Sequence, residues 1–172
     1  INTELNEIEF KKIINPLFSG KKGKITFQTR HKRKDNTFYP LEIQLQLIKQ
    51  NDKKYFLAVG NDISEKLKEE AEIRKLTTAI EQSPVAIVIT DYNGDIEFVN
   101  PKFIDITGYT LNEVLGQNPR ILKSGFHPKE FYVNLWDTIS SGETWNGALK
   151  NKKKNGEFYW EDVTIGPVTD DK

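Results

Sequence analysis

The chain has 172 residues, 37% hydrophobic and 29% charged, and its 25 basic side chains balance 25 acidic ones. This suits a soluble chain of one domain or two small ones, gives no electrostatic pull toward nucleic acid, and offers no run near the ~20 apolar residues of a membrane span. With no cysteine there is no disulfide, thiolate nucleophile or thiolate metal site, a pattern that fits a reducing, cytoplasmic setting. Two histidines far apart, His31 and His127, make a poor metal centre.

In chain order, a helix-like segment runs from Glu4 to Phe18 and is expected to break at Pro16. Ser19-Gly20 closes it before a strand, and Asp35-Asn36 supplies the turn of a hairpin. A loop over Gln50–Lys54 then leads to a third strand, Tyr55–Gly60. The next stretch, 62–84, reads as one helix. Asp62 is its expected N-cap, Glu65 completes a D-x-x-E capping box, and Ser83-Pro84 stops it. Glu70 and Arg74 stand in the favourable i, i+4 order. Ile63, Leu67 and Ala71 share one face, while Ile73, Leu76 and Ile80 share another with coiled-coil spacing. Two readings stand: one face docks on the preceding sheet and the other meets a partner helix or following domain, or the seam change marks a signalling helix with two dimer registers.

Beyond the helix, Val85–Thr90 is a strand, Asn93-Gly94 a hairpin turn and Ile96–Val99 the returning strand. Pro101–Thr107 follows, and then a capping box, Thr110 to Glu113, opens a short helix that Gly116 stops. Pro128 starts a longer helix at its first position, with Phe131, Tyr132, Leu135, Trp136 and Ile139 on one apolar face. Two more hairpin strands end the chain.

Those last strands repeat the earlier hairpin. H-K-R-K-D-N-T-F-Y-P-L-E-I (31–43) aligns without gaps on N-K-K-K-N-G-E-F-Y-W-E-D-V (151–163), and Ser19-Gly20 recurs as Ser141-Gly142. The lysines at each tip read as a solvated hairpin end. The first copy looks cut at its front and the second lacks an equivalent of Tyr55–Gly60. The chain is therefore read as a piece of something longer, and its open sheet edges invite strand exchange between chains.

Strand–hairpin–strand, short helices, one longer helix and an antiparallel run resemble a PAS domain. The carrying motifs are A-I-V-I-T-D-Y-N-G-D-I-E-F-V-N-P-K-F (86–103), T-G-Y (107–109), E-V-L-G-Q-N-P-R-I-L-K-S-G (113–125) and W-N-G-A-L-K-N-K-K-K-N-G-E-F-Y-W (145–160). V-G-N-D-I-S-E-K (59–66) resembles the D-I-T-E ending of bacterial PAS modules. The resemblance implies an α+β PAS fold with an antiparallel five-stranded sheet and short helices. One partial copy (1–62) and one nearly complete copy lacking its last strand (84–172) would be joined by a linker helix (63–83). It also implies a tandem fragment of a bacterial sensor, upstream of a histidine kinase or diguanylate cyclase, associating with itself through the linker helix and PAS surfaces.

Strand alternation puts Gly147, Leu149 and Asn151 on one face, with Glu161, Val163 and Ile165 on one face of the neighbouring strand. Asn151 and Glu161 then bring polar groups into an apolar interior, where they need partners. A hydrogen-bonding ligand is one explanation and an internal network with water the other. Desolvation should raise the Glu161 pKa. By resemblance to flavin-binding, light-sensing PAS domains, Asn118-Pro119-Arg120-Ile121-Leu122 stands where N-C-R-F-L occurs. Pro119 replaces the photoreactive cysteine, which excludes the covalent adduct, and Glu161 replaces a flavin-contacting asparagine. A nearer likeness is to redox-sensing, FAD-binding PAS domains of nitrogen-fixation regulators, which share Leu135-Trp136, Trp145–Gly147, Asn151 and Pro167-Val168. By that likeness Trp136 and Asn151 would line the flavin site; with Asn118 and Glu161 from the light-sensing comparison they are the candidate cofactor-binding residues, and FAD or another flavin is the candidate cofactor. The plainer reading of Trp136, a core aromatic of its helix, is preferred. Haem is disfavoured because haem-binding members carry their histidine inside the helix, whereas His127 precedes Pro128 in a loop; capping or surface hydrogen bonding suits it better. His31 is assigned no role.

No Gly-rich phosphate loop, nucleophile elbow or metal-ligand cluster is present in the sequence, and no catalytic activity is expected. Two functions remain: an input sensor for a flavin or small molecule, or a ligand-free dimerisation and relay spacer. Neither nucleic acid nor membrane contact is expected of this stretch.

Overall fold

β-branched and aromatic runs separated by turn formers make the first sheet. In the computed structural model, which describes residues 5–51 and 53–168, β1 (Lys24–Lys32), β2 (Phe38–Gln50) and β3 (Lys53–Asp62) pair antiparallel in that order. α1 (Glu7–Phe18) opens on a capping box between Asn6 and Glu9 and runs through Pro16 instead of breaking there. The ring sits in the last turn, where it removes one helical hydrogen bond with little helix left to carry. The expected start at Glu4 lies outside the described residues. Ile14 and Leu17 of α1 pack on Ile25 and Leu45, flanked by Ile13, Phe27 and Leu47, to form the core of this unit. The expected 50–54 loop is shorter than the sequence suggested: β2 and β3 extend into it until Gln50 pairs with Lys53, and Asn51 takes positive φ (49°), while Asp52 lies outside the described residues.

α2 (Ser64–Glu81) is one unbroken helix with no buried residue. It starts later than its expected cap. Asp62 is still held in the β2–β3 ladder opposite Leu41, so its backbone is strand. Its carboxylate reaches forward to accept from the Ser64 N–H (2.9 Å) and hydroxyl (2.5 Å). Those hydrogen bonds, aided by Arg33, lower the Asp62 pKa. Only Ile63 of the first apolar face is buried; its N–H donates to the Pro40 carbonyl at 3.1 Å. On the helix surface Glu70 lies 4.0 Å from Lys66.

The chain divides into two compact units, Ile1–Lys75 and Leu76–Lys172. The second contains β4 (Val88–Thr90) and β5 (Ile96–Val99), α3 (Pro101–Thr107), α4 (Leu111–Val114), a 3₁₀ turn over Pro119–Leu122, α5 (Lys129–Ser140), β6 (Trp145–Lys152) and β7 (Phe158–Ile165). Of the five strands expected of the fold, the described residues of this unit carry four, as two antiparallel pairs, β4–β5 with a bulge at Ile89/Thr90 and β6–β7 in continuous register. β4 is shorter than the sequence suggested, because the Asn100 side chain, not a strand, takes the Ile87 N–H (2.9 Å). The core gathers Ile96, Val99, Phe103, Val114 and Leu122. Asn100 is fully buried among them. Its Nδ2 donates to the carbonyls of Ile80 (3.2 Å) and Val85 (2.9 Å), and its Oδ1 accepts from Ile87 and from Phe103 N–H (3.2 Å). All four hydrogen-bonding sites of the amide are used, and one of them holds the last turn of α2. Among the described residues no helix is long and apolar enough to cross a membrane.

Candidate functional site

The β6–β7 register sets the site. Trp145 faces Ile165, Gly147 faces Val163, Leu149 faces Glu161 and Asn151 faces Tyr159. These residues share the inner face, as alternation requires. Gly147 is needed there because a Cβ would lie 2.4 Å from the Trp145 ring, which folds across it. Trp145 in turn donates from Nε1 to Asn134 Oδ1 (3.2 Å) and meets Phe131 edge-on at 5.5 Å, which ties α5 to the sheet.

Asn151 is buried, and its Nδ2 donates to Glu161 Oε1 at 2.6 Å. Burial raises the Glu161 pKa, and the Asn151 hydrogen bond only partly offsets it. Tyr159 is the neighbour that the sequence reading left out. Its hydroxyl is buried beside the Asn151 amide and the Glu161 carboxyl, yet makes no hydrogen bond of standard geometry. Burial first, then the Glu161 charge, pushes its pKa up to about 12. Tyr132 of α5 is similar, its buried hydroxyl unpartnered and its pKa raised by burial. Tyr159 was visible as the repeat partner of Tyr39, but as evidence of duplication and not of chemistry.

Asn118 and Trp136 meet elsewhere in the unit. Asn118 caps the 3₁₀ turn by accepting from Arg120 N–H (3.1 Å) and donates from Nδ2 to the Gly94 carbonyl (2.9 Å). A Cβ on Gly94, whose φ is +85°, would lie 2.8 Å from Asn118 Nδ2 and 3.0 Å from Trp136 Cη2. The β4–β5 turn therefore has glycine where both side chains close on it. Trp136 is not a core aromatic of α5: 42% of it is exposed, and Leu135 takes the buried position. The four candidate residues thus form two pairs, Asn118 with Trp136 at Gly94 and Asn151 with Glu161 on the sheet.

His127 is half-buried and accepts the Lys150 N–H through Nε2 at 2.9 Å. Its ring stacks on Phe131 at 4.1 Å. The Ser124 hydroxyl donates to the Lys150 carbonyl, so two loop side chains occupy the free edge of β6. Pro128 serves as N-cap and α5 begins at Lys129. The β6–β7 tip is docked, not merely solvated. Lys154 N–H donates to the Thr107 carbonyl (2.9 Å), and its Nζ pairs with Glu113 at 2.5 Å. Hydrogen bonds from Lys154 and Thr110 hold Glu113 down at about 2. Among the described residues no three metal-ligating side chains gather.

Hairpins and short helices in this order, with the buried face between them, define a PAS-type fold. The PAS-domain family matches the chain over residues 3–65 and 84–172, and the chain belongs to that family. Over 91 residues it is 42% identical to a nitrogen fixation regulatory protein of Klebsiella oxytoca, an alignment covering 53% of this chain and 18% of that protein. Over 96 residues it is 32% identical to the aerotaxis receptor of Escherichia coli, covering 56% of this chain and 19% of the receptor. The chain thus spans less than a fifth of either relative. The solved structure of a Rhodobacter sphaeroides LOV protein is similar with TM-score 0.52 and 25% identity over 59% of each chain. That of an RNA-binding light-oxygen-voltage receptor has TM-score 0.52 at 14% identity, covering 95% of this chain and 76% of the other, a likeness of fold alone.

Proposed function

We propose that this chain is a non-catalytic sensory and relay module of a bacterial signal-transduction protein, and that its second unit takes a flavin or another hydrogen-bonding small molecule. The observation that carries this reading is the desolvated Asn151–Glu161 pair with the unpartnered Tyr159 hydroxyl beside it. A buried polar group left unsatisfied costs about 1–3 kcal/mol, which a ligand of matching donors and acceptors offsets. The residues fit the polar edge of a flavin: an amide with both donor and acceptor, a phenol donor, and a carboxyl that keeps its proton to higher pH than usual. A bound flavin supplies a ring whose hydrogen-bonding pattern changes with redox state. Asn151, Tyr159 and Glu161 would hold and read that edge, and the sheet would feel the change. Asn118 and Trp136 enter this reading through the resemblance alone.

Likeness to the nitrogen fixation regulatory protein and the aerotaxis receptor supports a sensory role. Output is assigned to a larger protein, a histidine kinase or diguanylate cyclase, acting on the cytoplasmic side as a homodimer. A ligand biases such a module only through different affinities for its two states. Asn100, which joins α2 to the core, is the element through which that bias would pass.

The second reading, a ligand-free dimerisation and relay spacer, is favoured by the Asn118 and Asn151 amides, which already have protein partners. Absorption and native mass spectra of the purified chain separate the two. A yellow protein carrying one flavin mass is the expected result, with occupancy falling sharply in Glu161→Ala and Trp136→Ala. A colourless protein with no bound mass overturns the ligand and leaves the spacer.

A further inference from the structure

The two strands of the last hairpin carry different chemistry on their outer face. Residues i and i+2 of a strand share a face about 6.6 Å apart. Lys150 and Lys152 therefore make a row of ammonium groups on β6, and Trp160 and Phe158 make a row of rings opposite them on β7. Phe126 adds a third ring, edge-on to Trp160 at 5.3 Å. Phe126, Phe158 and Trp160 are 56%, 54% and 55% exposed, so the rings form one bare patch. Lys150 Nζ lies 4.7 Å from the Phe126 ring and 5.7 Å from the other two. Among the described residues neither Lys150 nor Lys152 has an acidic partner, whereas Lys153 pairs with Glu157 and Lys154 with Glu113.

Balanced net charge predicts no long-range pull toward nucleic acid, but the fold sets two unpaired ammonium groups beside bare rings. The first hairpin repeats half of this arrangement. Arg30 and Lys32 stand opposite Pro40 and Phe38, and both cations lie over the Phe38 ring, at 5.7 and 5.9 Å. Pro40 stands where the second hairpin has Trp160, so the row there has one ring. An acidic peptide would meet the lysines and leave the rings bare, and a duplex keeps its bases stacked on each other. A single strand offers phosphates and free base faces together.

We propose that the outer face of β6–β7 binds a short single-stranded stretch of nucleic acid, its bases stacking on Phe158, Trp160 and Phe126 while Lys150 and Lys152 take the phosphates alongside. Every base has a π-face, so the site tolerates any sequence. Asp162, the next residue of β7 on this face, repels phosphate and ends the track, which limits the footprint to about two or three nucleotides, one per ring. The contact lies on the outer face of the sheet and is independent of what the interior binds.

Fluorescence anisotropy of a labelled oligothymidylate of about eight nucleotides, titrated with the full chain at low and moderate salt, tests it. Saturable binding that weakens with salt is expected. Trp160→Ala should lower affinity about tenfold or more, and Trp160→Phe should retain most of it because either ring stacks. Phe158→Ala, in the same row, should show the same loss and serves if Trp160→Ala does not fold. Lys150→Ala with Lys152→Ala should flatten the slope of log K against log salt by about 1.4, or 0.7 for each phosphate contact removed. Thymidine monophosphate, inorganic polyphosphate and anionic phospholipid vesicles should each compete poorly. No saturable binding at low salt, or undiminished affinity in the ring variants, would overturn the proposal. Equal competition also overturns it: by the mononucleotide in favour of a free-nucleotide site, by polyphosphate in favour of charge alone, and by vesicles in favour of a membrane surface.

Discussion

The two hairpins share a backbone and differ in content. Ile25 faces Leu45 and His31 faces Tyr39 in the first, and at the repeat-equivalent positions Trp145 faces Ile165 and Asn151 faces Tyr159 in the second. The first unit fills this face with aliphatic side chains from α1. Phe27 stands where the second has Gly147, and Leu41 where it has Glu161. The first is thus a wall against which a helix packs, and the second a wall on which a tryptophan lies flat and a carboxyl is left short of solvent. A duplicated scaffold keeps its register because one slip would turn every side chain to the other face. What each face does is then set by a few substitutions.

The contrast can be broken most severely at Asn100. Asn100→Ala strands four backbone groups in the second core and should cost about 3 kcal/mol or more. All three tryptophans, Trp136, Trp145 and Trp160, lie in the second unit, so their fluorescence during urea unfolding reports that unit alone. Next come the paired inner-face positions. Gly147→Ala should cost about 1–3 kcal/mol by forcing the Trp145 ring off the strand, with a shift of tryptophan emission. Phe27→Ala should cost about 2 kcal/mol for the opposite reason, an emptied volume, and leave that emission unchanged.

A smaller effect separates Leu41 from Glu161 by pH. The folded-state pKa of Glu161 lies above its ordinary 4.5. Its favourable contribution is therefore complete below pH 4.5 and is lost as pH rises through the folded value. Relative to Glu161→Gln, the native protein should lose stability over that rise, whereas substitution at Leu41 should leave no such slope. Least of all, Lys154→Ala should give a small, salt-sensitive loss, because its partner Glu113 is solvent-exposed. Held down at about 2, Glu113 contributes above pH 4.5 and loses that contribution as pH falls toward 2.

The repeat, the element order and the inner-face placement of Asn151 and Glu161 were legible because strand alternation and turn chemistry are local. The capping box at Thr110–Glu113 was legible for the same reason. The misreadings are cases where tertiary context overrode a local signal. Pro16 was tolerated near a helix end, Asp62 was claimed by a ladder before it could cap, and Trp136 was displaced from the core by Leu135. Tyr159 was missed because a hydroxyl's missing partner is a fact of three dimensions. The joint approach of Asn118 and Trp136 to Gly94 had no sequence signal beyond an ordinary Asn-Gly turn.

The loop side chains on β6 have one more consequence. His127 and Ser124 have already claimed the outward amide and carbonyl of Lys150, so that margin offers little to an incoming strand seeking a ladder. Fibril-like growth along it is discouraged.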